Sequence, residues 1–237
     1  MDLENLIKTN HSISKIDQEN QKIKLTFENN EIFECDYLII SDGVFSKSKS
    51  LISNKQTQPR FNKTLAIRGT ISNSKKIDRK NISLFLGSNF HQVIYPVNSK
   101  SDLNFIAIMK YNLSTDELKN HSLFNDTNFT NRILNKIPLE MKEYMNEVKE
   151  LKIFPVFVSN NFFKTKNNNI HLIGDAFFAF PPSFAQGASQ SIESSYELFK
   201  SIENKTENIF FENRVNKTKM VNNRSKFNQF AFHFSNP

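Results

Sequence analysis

An α/β fold assembled from both ends of the chain, with a β-rich insertion between them, is predicted by three stretches of this 237-residue sequence. The first is "DYLII", Asp36 to Ile40, a short continuous apolar run of the kind found in strands buried on both faces. The second, "NIHLIGDA", is a similar run that leads through a loop into a helical periodicity. The third spans Phe61 to Leu113, where "TLAIRGTI", "NISLFLG", "HQVIYPV" and "NFIAIMK" are β-like segments between polar turns, the pattern of an antiparallel sheet. The expected division is 1–60 and 156–237 for the α/β part and 61–155 for the insertion.

In chain order, "KIKLTFENNEIFECDYLII" begins with alternating Ile23, Leu25 and Phe27, breaks at Asn29-Asn30 and resumes at Ile32, a β-hairpin signature. Asp42-Gly43 then marks a sharp turn. From Ser114 to about Lys149 the residues are helical and polar, and "LKIFPVFVS" returns as a strand whose Pro155 suits an edge or a bend. A helix is expected from Gly187 to about Asn204, with Ala188, Ile192, Ser195, Phe199 and Ile202 as a stripe packing on a sheet. A mostly polar helix covers Phe211 to about Phe227.

Composition narrows the function. Hydrophobic residues make up 38% and charged residues 23%, an ordinary balance for a globular chain. The formal charge of +7 is scattered. Its densest run, Asn213 to Lys226, reads as a solvated helical face before it reads as a phosphate or lipid patch. No nucleic-acid partner is therefore expected, and at most peripheral membrane contact. A single cysteine, Cys35, precludes an internal disulfide, fits a reducing compartment and reads as a packed thiol. The amino terminus shows no signal peptide, and no apolar run approaches the ~20 residues of a membrane span. A cytoplasmic location follows. The five histidines lie at no ligand-like spacing, so no metal site is expected.

The stretch that carries chemistry is "GDAFFAFPPSFAQGAS". At the carboxyl end of a buried strand, Asp175 enters the crevice where open α/β sheets bind ligands, and it can accept hydrogen bonds from polyol hydroxyls. Gly187 in a helix's first turn admits a flat ligand, and the amides of Gly187, Ala188 and Ser189 offer donors backed by the helix dipole. Pro181 and Pro182 stiffen the loop, and Phe177, Phe178, Phe180 and Phe184 supply a dry wall. The plain alternative is a strand, a proline turn and a helix that happens to start with glycine. For Asp42-Gly43 the plain alternative is only a turn.

Together the two stretches resemble the flavoprotein monooxygenases of the p-hydroxybenzoate hydroxylase fold, including salicylate and ubiquinone-pathway hydroxylases. "DYLIISDGVFSKSK" is similar to their "D-L-L-I-G-A-D-G-x-x-S-x-x-R", with Lys49 in place of Arg. "IGDAFFAFPPSFAQGASQSIES" is similar to "x-G-D-A-A-H-x-x-x-P-x-x-G-Q-G-x-N-x-x-x-E-D". Phe177 and Phe178 replace Ala-His, Ala185 replaces Gly, and Ser194 stands where Asp is usual. The resemblance implies a partial Rossmann-like FAD/NAD(P)-binding domain with an inserted substrate domain. It implies FAD held by Gly174, Asp175, Pro182, Gln186, Gly187, Ala188 and Ser189, with Asp42 and Gly43 linked to FAD and to NAD(P)H.

The implied reaction uses NAD(P)H to reduce FAD, activates oxygen and hydroxylates a small aromatic or quinone-like substrate. His91 and Tyr95 in "FHQVIYPV" are the candidate substrate-pocket residues, and the catalytic residues stay unassigned. The family's initial "G-x-G-x-x-G" has no match here, so the unit that grips the ADP half is expected from a separate amino-terminal segment. Weak FAD binding, or none, is expected of the chain alone. The other reading is a non-catalytic flavin-fold remnant that binds a partner.

Overall fold

The structure, a computed structural model, describes residues 6–19, 22–53, 58–72, 77, 80–97 and 102–234. The chain divides into two compact units. One joins the residues up to Arg60 with Val158–Asn222, and the other joins Phe61–Phe157 with the residues from Asn223 on.

In the first unit, β1 (Ile13–Glu19), β2 (Lys22–Phe27) and β3 (Ile32–Cys35) form an antiparallel meander. The β2–β3 turn is local chemistry: Asn30 takes φ +68°, and the Asn29 carboxamide accepts from the Glu31 amide at 3.0 Å. β4 (Leu38–Ile40) pairs in parallel with β10 (Ile170–Leu172), placing Leu38 beside Ile170 and Ile40 beside Leu172. These side chains share a core with Ile23, Leu25, Phe177, Phe178 and Val215.

The expectation that "DYLII" is buried on both faces is corrected: Leu38 and Ile40 are buried, but Ile39 between them is 46% exposed. A period of two reads the strand better than a continuous run. Cys35 is half-buried, its thiol directed at the Ile23 carbonyl and pushed up in pKa by burial, as a packed thiol should be.

Helix α1 (Lys47–Ser53) follows β4. In the second unit, β5 (Arg60–Ser72), β6 (Ser83–Gly87), β7 (Phe90–Pro96), β8 (Asp102–Lys110) and β9 (Val148–Val158) form one sheet in the order β6-β7-β8-β5-β9. Pro155 thus lies on an edge strand, where its missing N–H leaves no central ladder bond unmade. Gly69 of β5 tolerates no side chain, because a Cβ there would lie 2.7 Å from the Lys149 carbonyl.

Between β8 and β9 come α2 (Thr115–Lys119), α3 (Thr127–Leu134) and α4 (Leu139–Met145). Ser114 and Glu117 form a reciprocal capping box on α2, and Asp126 caps α3. Phe129, Ile133, Ile137 and Met145 close over Leu65, Ile67, Phe90, Ile94 and Phe105 on one face of the sheet.

After β10 come α5 (Gly174–Phe178), α6 (Gly187–Glu203) and α7 (Glu207–Phe232), the last shared by both units. The stripe expected to pack on a sheet is corrected: Ile192 is 72% and Phe199 57% exposed, and the buried face of α6 is Ser194 and Leu198. Polar contacts chose that face. Arg214 of α7, only 2% exposed, bonds Glu193, Glu197 and the Gln190 carbonyl, and Lys217 adds further contacts to Glu193 and Glu197. The 213–226 run is accordingly a solvated face only in part, since Arg214, Val215, Thr218, Val221 and Ser225 are buried.

No helix among the described residues is long and apolar enough to cross a membrane.

Candidate functional site

β10 ends at Leu172, and the Ile173 amide still reaches the Ile40 carbonyl of β4 at 3.0 Å. Gly174 then turns the chain at φ +56°. A Cβ there would lie 2.8 Å from Ser191 Oγ, so glycine serves both the dihedral and the close approach. The Gly174 amide donates to Ser194 Oγ at 3.2 Å, and Ser194 in turn donates to the Ser191 carbonyl at 2.9 Å. The strand-end turn is thereby stitched to α6.

This geometry lifts Asp175 into the first turn of α5. Its carboxylate has no hydrogen-bond or ion-pair partner among the described residues, and desolvation by the surrounding atoms raises its pKa above the ordinary aspartate value.

The chain next passes Pro181, which is buried, and a single 3₁₀ turn at Pro182–Phe184, then takes φ +52° at Ala185. The Gln186 side chain at the start of α6 accepts from the Ser189 hydroxyl at 3.2 Å but from no backbone amide, which leaves the Gly187, Ala188 and Ser189 amides without a capping side chain. The Ser189 hydroxyl turns back to the Gln186 carbonyl at 3.2 Å. No atom lies within 4 Å of where a Gly187 side chain would project. Gly174, Asp175, Phe178, Gly187, Ser191 and Arg214 line one narrow hollow, so residues as far apart in sequence as Gly174 and Arg214 converge there.

The first motif lies at the end of β4, beside the end of β10. Gly43 takes φ +82°, and Asp42 Oδ2 accepts from the Ser48 amide at 3.1 Å, while Ser46 Oγ accepts from the Lys49 amide at 3.2 Å. Asp42 therefore closes the amino end of α1. Lys49 is 6% exposed, and burial lowers its pKa against the opposing pull of Asp42. It lines a hollow of about 360 Å³ with Val44, Ser159 and Phe162.

His91 and Tyr95, four residues apart on β7, share one face of the other unit's sheet. His91 is 3% exposed, and its Nδ1 lies 2.8 Å from Nε2 of His233, just past α7. Burial, with the second imidazole beside it, lowers its pKa to about 4. Tyr95 is half-buried beside Asn104.

Three participants were not singled out by sequence reasoning for these roles. Ser194 had a visible signal, since it replaces a motif carboxylate. Arg214 and His233 had none, because their partners lie far away along the chain. Among the described residues no group of His, Cys, Asp and Glu is arranged to hold a metal ion.

The donor set fits FAD in part. Asp175 is an open acceptor for polyol hydroxyls, the start of α6 offers uncapped donors for an electron-rich ring edge, and the bare Gly187 lets such a ring come close.

Comparison with known proteins agrees with that fit. The profile of a family described as FAD binding domain matches residues 7–206. Salicylate hydroxylase of Pseudomonas putida is 23% identical over 214 residues, covering 78% of this chain and 47% of that protein. Klebsiella pneumoniae HpxO, solved with FAD and uric acid, superposes with a TM-score of 0.81 at 13% identity, over 95% of this chain and 59% of that one. A salicylate hydroxylase substrate complex gives 0.76 at 17% identity, over 96% and 62%. The fold is thus the α/β flavoprotein fold, and the chain spans about half the length of the curated relative and three-fifths of these solved structures. Family profile, fold and site geometry together show that the chain belongs to the FAD binding domain family.

Proposed function

We propose that this chain carries the flavin-facing and substrate-facing parts of a cytoplasmic FAD-dependent monooxygenase that hydroxylates a small aromatic or quinone-like molecule with NAD(P)H as reductant. One observation carries the reading: the unpaired Asp175 carboxylate and the open amino end of α6 at Gly187 border the same hollow. A salicylate hydroxylase among the relatives and the FAD and uric acid held by HpxO support the cofactor and a small ring substrate.

FAD, when bound, supplies the redox chemistry and the activation of oxygen. The chain's own residues do the holding. Asp175 accepts hydrogen bonds from hydroxyls, and the Gly187, Ala188 and Ser189 amides stabilise negative charge at a ring edge. Lys49 places a cation in its hollow, which suits a phosphate of the cofactor or reductant. A separate segment bearing the glycine fingerprint is proposed to complete the ADP site.

Calorimetric titration of the purified chain with FAD tests the assignment. Weak but saturable binding is expected. Asp175→Ala should weaken it about 10-fold or more, the scale of a lost charge-assisted hydrogen bond. Gly187→Val should abolish it without lowering Tm, because the new side chain meets only open space in the fold. Wild-type affinity in both variants would overturn the reading.

A further inference from the structure

The carboxyl-terminal part of α7, which belongs to the second unit, is apolar on two sides. Its inner side has its partners there: Ser225 is fully buried, the Gln229 side chain accepts from Asn62 Nδ2 at 3.1 Å, and Phe232 and His233 close on His91 of β7. The outer side carries Phe227, Phe230 and Phe234, which are 67%, 65% and 61% exposed. Phe230 and Phe234 stand with ring centroids 5.7 Å apart.

At about 100° per residue the three rings form one stripe along the helix, with Ala231 beside them. Arg224 borders the stripe on one side and Lys226 on the other, the whole set lying within an arc of about 160°. Both cations are exposed, and neither has an ion pair or hydrogen bond among the described residues. No Asp or Glu follows Glu212 in the sequence, so this segment brings no negative charge of its own to the outer side.

Area and charge together choose what covers such a stripe. Rings at this exposure present roughly 400 Å² of apolar surface, a patch of the size that marks an interaction site. Each partner in a stable protein complex buries about 800 Å², roughly twice as much. A second copy laid stripe to stripe would also bring like cations together with no carboxylate to offset them. A bilayer needs neither a larger area nor a matching shape. A helix lying in the interface plane puts its rings at the acyl boundary, while flanking Arg and Lys stems reach up to the headgroups. The sign of those cations selects anionic lipid.

We propose that the outer face of residues 224–234 docks this protein peripherally on an anionic lipid surface, with Phe227, Phe230 and Phe234 at the acyl boundary and Arg224 and Lys226 on the phosphates. None of these residues lines the hollow at Asp175 and Gly187, so the inference stands apart from the hydroxylase reading.

Co-sedimentation of the full chain with lipid vesicles tests it. Vesicles of phosphatidylcholine mixed equally with phosphatidylglycerol should carry the protein down, and phosphatidylcholine alone should bind it about 10-fold or more less tightly. Raising salt from about 0.1 to about 1 M, which shortens the Debye length from about 10 to about 3 Å, should weaken the anionic binding. Arg224→Gln/Lys226→Gln should weaken it about 10- to 30-fold, the effect of two cations near an anionic surface. Phe227→Gln/Phe230→Gln/Phe234→Gln should weaken it about 100-fold or more, because the rings supply the buried area. Tm should not fall in that variant, since the fold leaves all three rings in solvent. No binding to the anionic vesicles, equal binding to both kinds, or anionic binding that survives loss of the three rings would each overturn the proposal. A wild-type dimer in sedimentation velocity that the phenylalanine variant dissolves would assign the face to a second copy and overturn it as well.

Discussion

Gly174 and Gly187 differ in what the fold asks of them. Gly174 is required by the fold: its φ of +56° is left-handed, and a Cβ would press on Ser191 Oγ at 2.8 Å. Gly174→Ala should therefore destabilise the chain by about 2 kcal/mol, combining the left-handed penalty with overpacking. Chemical denaturation would measure it, and a loss below a few tenths would contradict the geometry. Gly187 has ample room for a side chain, so packing within the fold does not require its glycine. Ala185 completes the comparison. It holds φ +52°, where the resembling family has Gly, and Ala185→Gly should stabilise by about 0.5–1 kcal/mol. The sequence motif flagged all three positions, but it could not say which were structural, because that depends on the local dihedral and on atoms from α6.

At the level of elements, the α6–α7 pair shows how polar contacts can override apolar periodicity. Arg214 enters the interface 2% exposed and bonds two carboxylates and a backbone carbonyl. Removing it leaves Glu193 and Glu197, still partly solvated, with Lys217 alone bridging them. Arg214→Ala should cost about 2–3 kcal/mol, below the value for a fully buried pair. Thermal unfolding checks this, and a cost no larger than that of Lys219→Ala on the exposed side would refute the role.

The network also has a defined pH range. Hydrogen bonding from Lys217 holds the Glu193 carboxyl below its ordinary value, so its contribution is present above the usual glutamate range and is lost as pH falls through it. The Lys217 ammonium, held above its ordinary value chiefly by its bond to Glu193, keeps its share until pH rises past the usual lysine range. Between these limits the contribution is constant.

Across the whole molecule, the buried His91–His233 pair gives the stability curve a distinct acid limb. Both rings are held below the ordinary histidine value by burial, His91 to about 4, and Lys110 further opposes charge on His233. Above pH ~6.5 both rings are neutral folded and unfolded alike, so the pair adds no pH dependence. Below it, the unfolded chain binds protons that the fold resists, and stability falls until about pH 4. His91 alone should contribute a loss of about 3 kcal/mol over that window. Urea unfolding of the wild type and of His91→Leu/His233→Leu from pH 7.5 to 4.5 would show it as a steeper decline in the wild type. Parallel curves would show that the rings are not buried neutral. Carboxylates such as Glu193 titrate in both proteins and cancel in the difference.

Much of this was legible in the sequence. Apolar alternation marked the β2–β3 hairpin, β-like segments between polar turns marked the strands of the large sheet, and glycine spacing with Asp175 and Gln186 marked the passage from β10 to α6. Such features depend on residues close along the chain, whose periods of 2 and 3.6 are set by backbone geometry. What only the tertiary structure decided depends on partners far away. The choice of α6 face turned on Arg214, and the closure over His91 came from His233. Periodicity says that an element has two faces. Which face is buried is settled by the hydrogen-bond and packing partners that the fold brings to it.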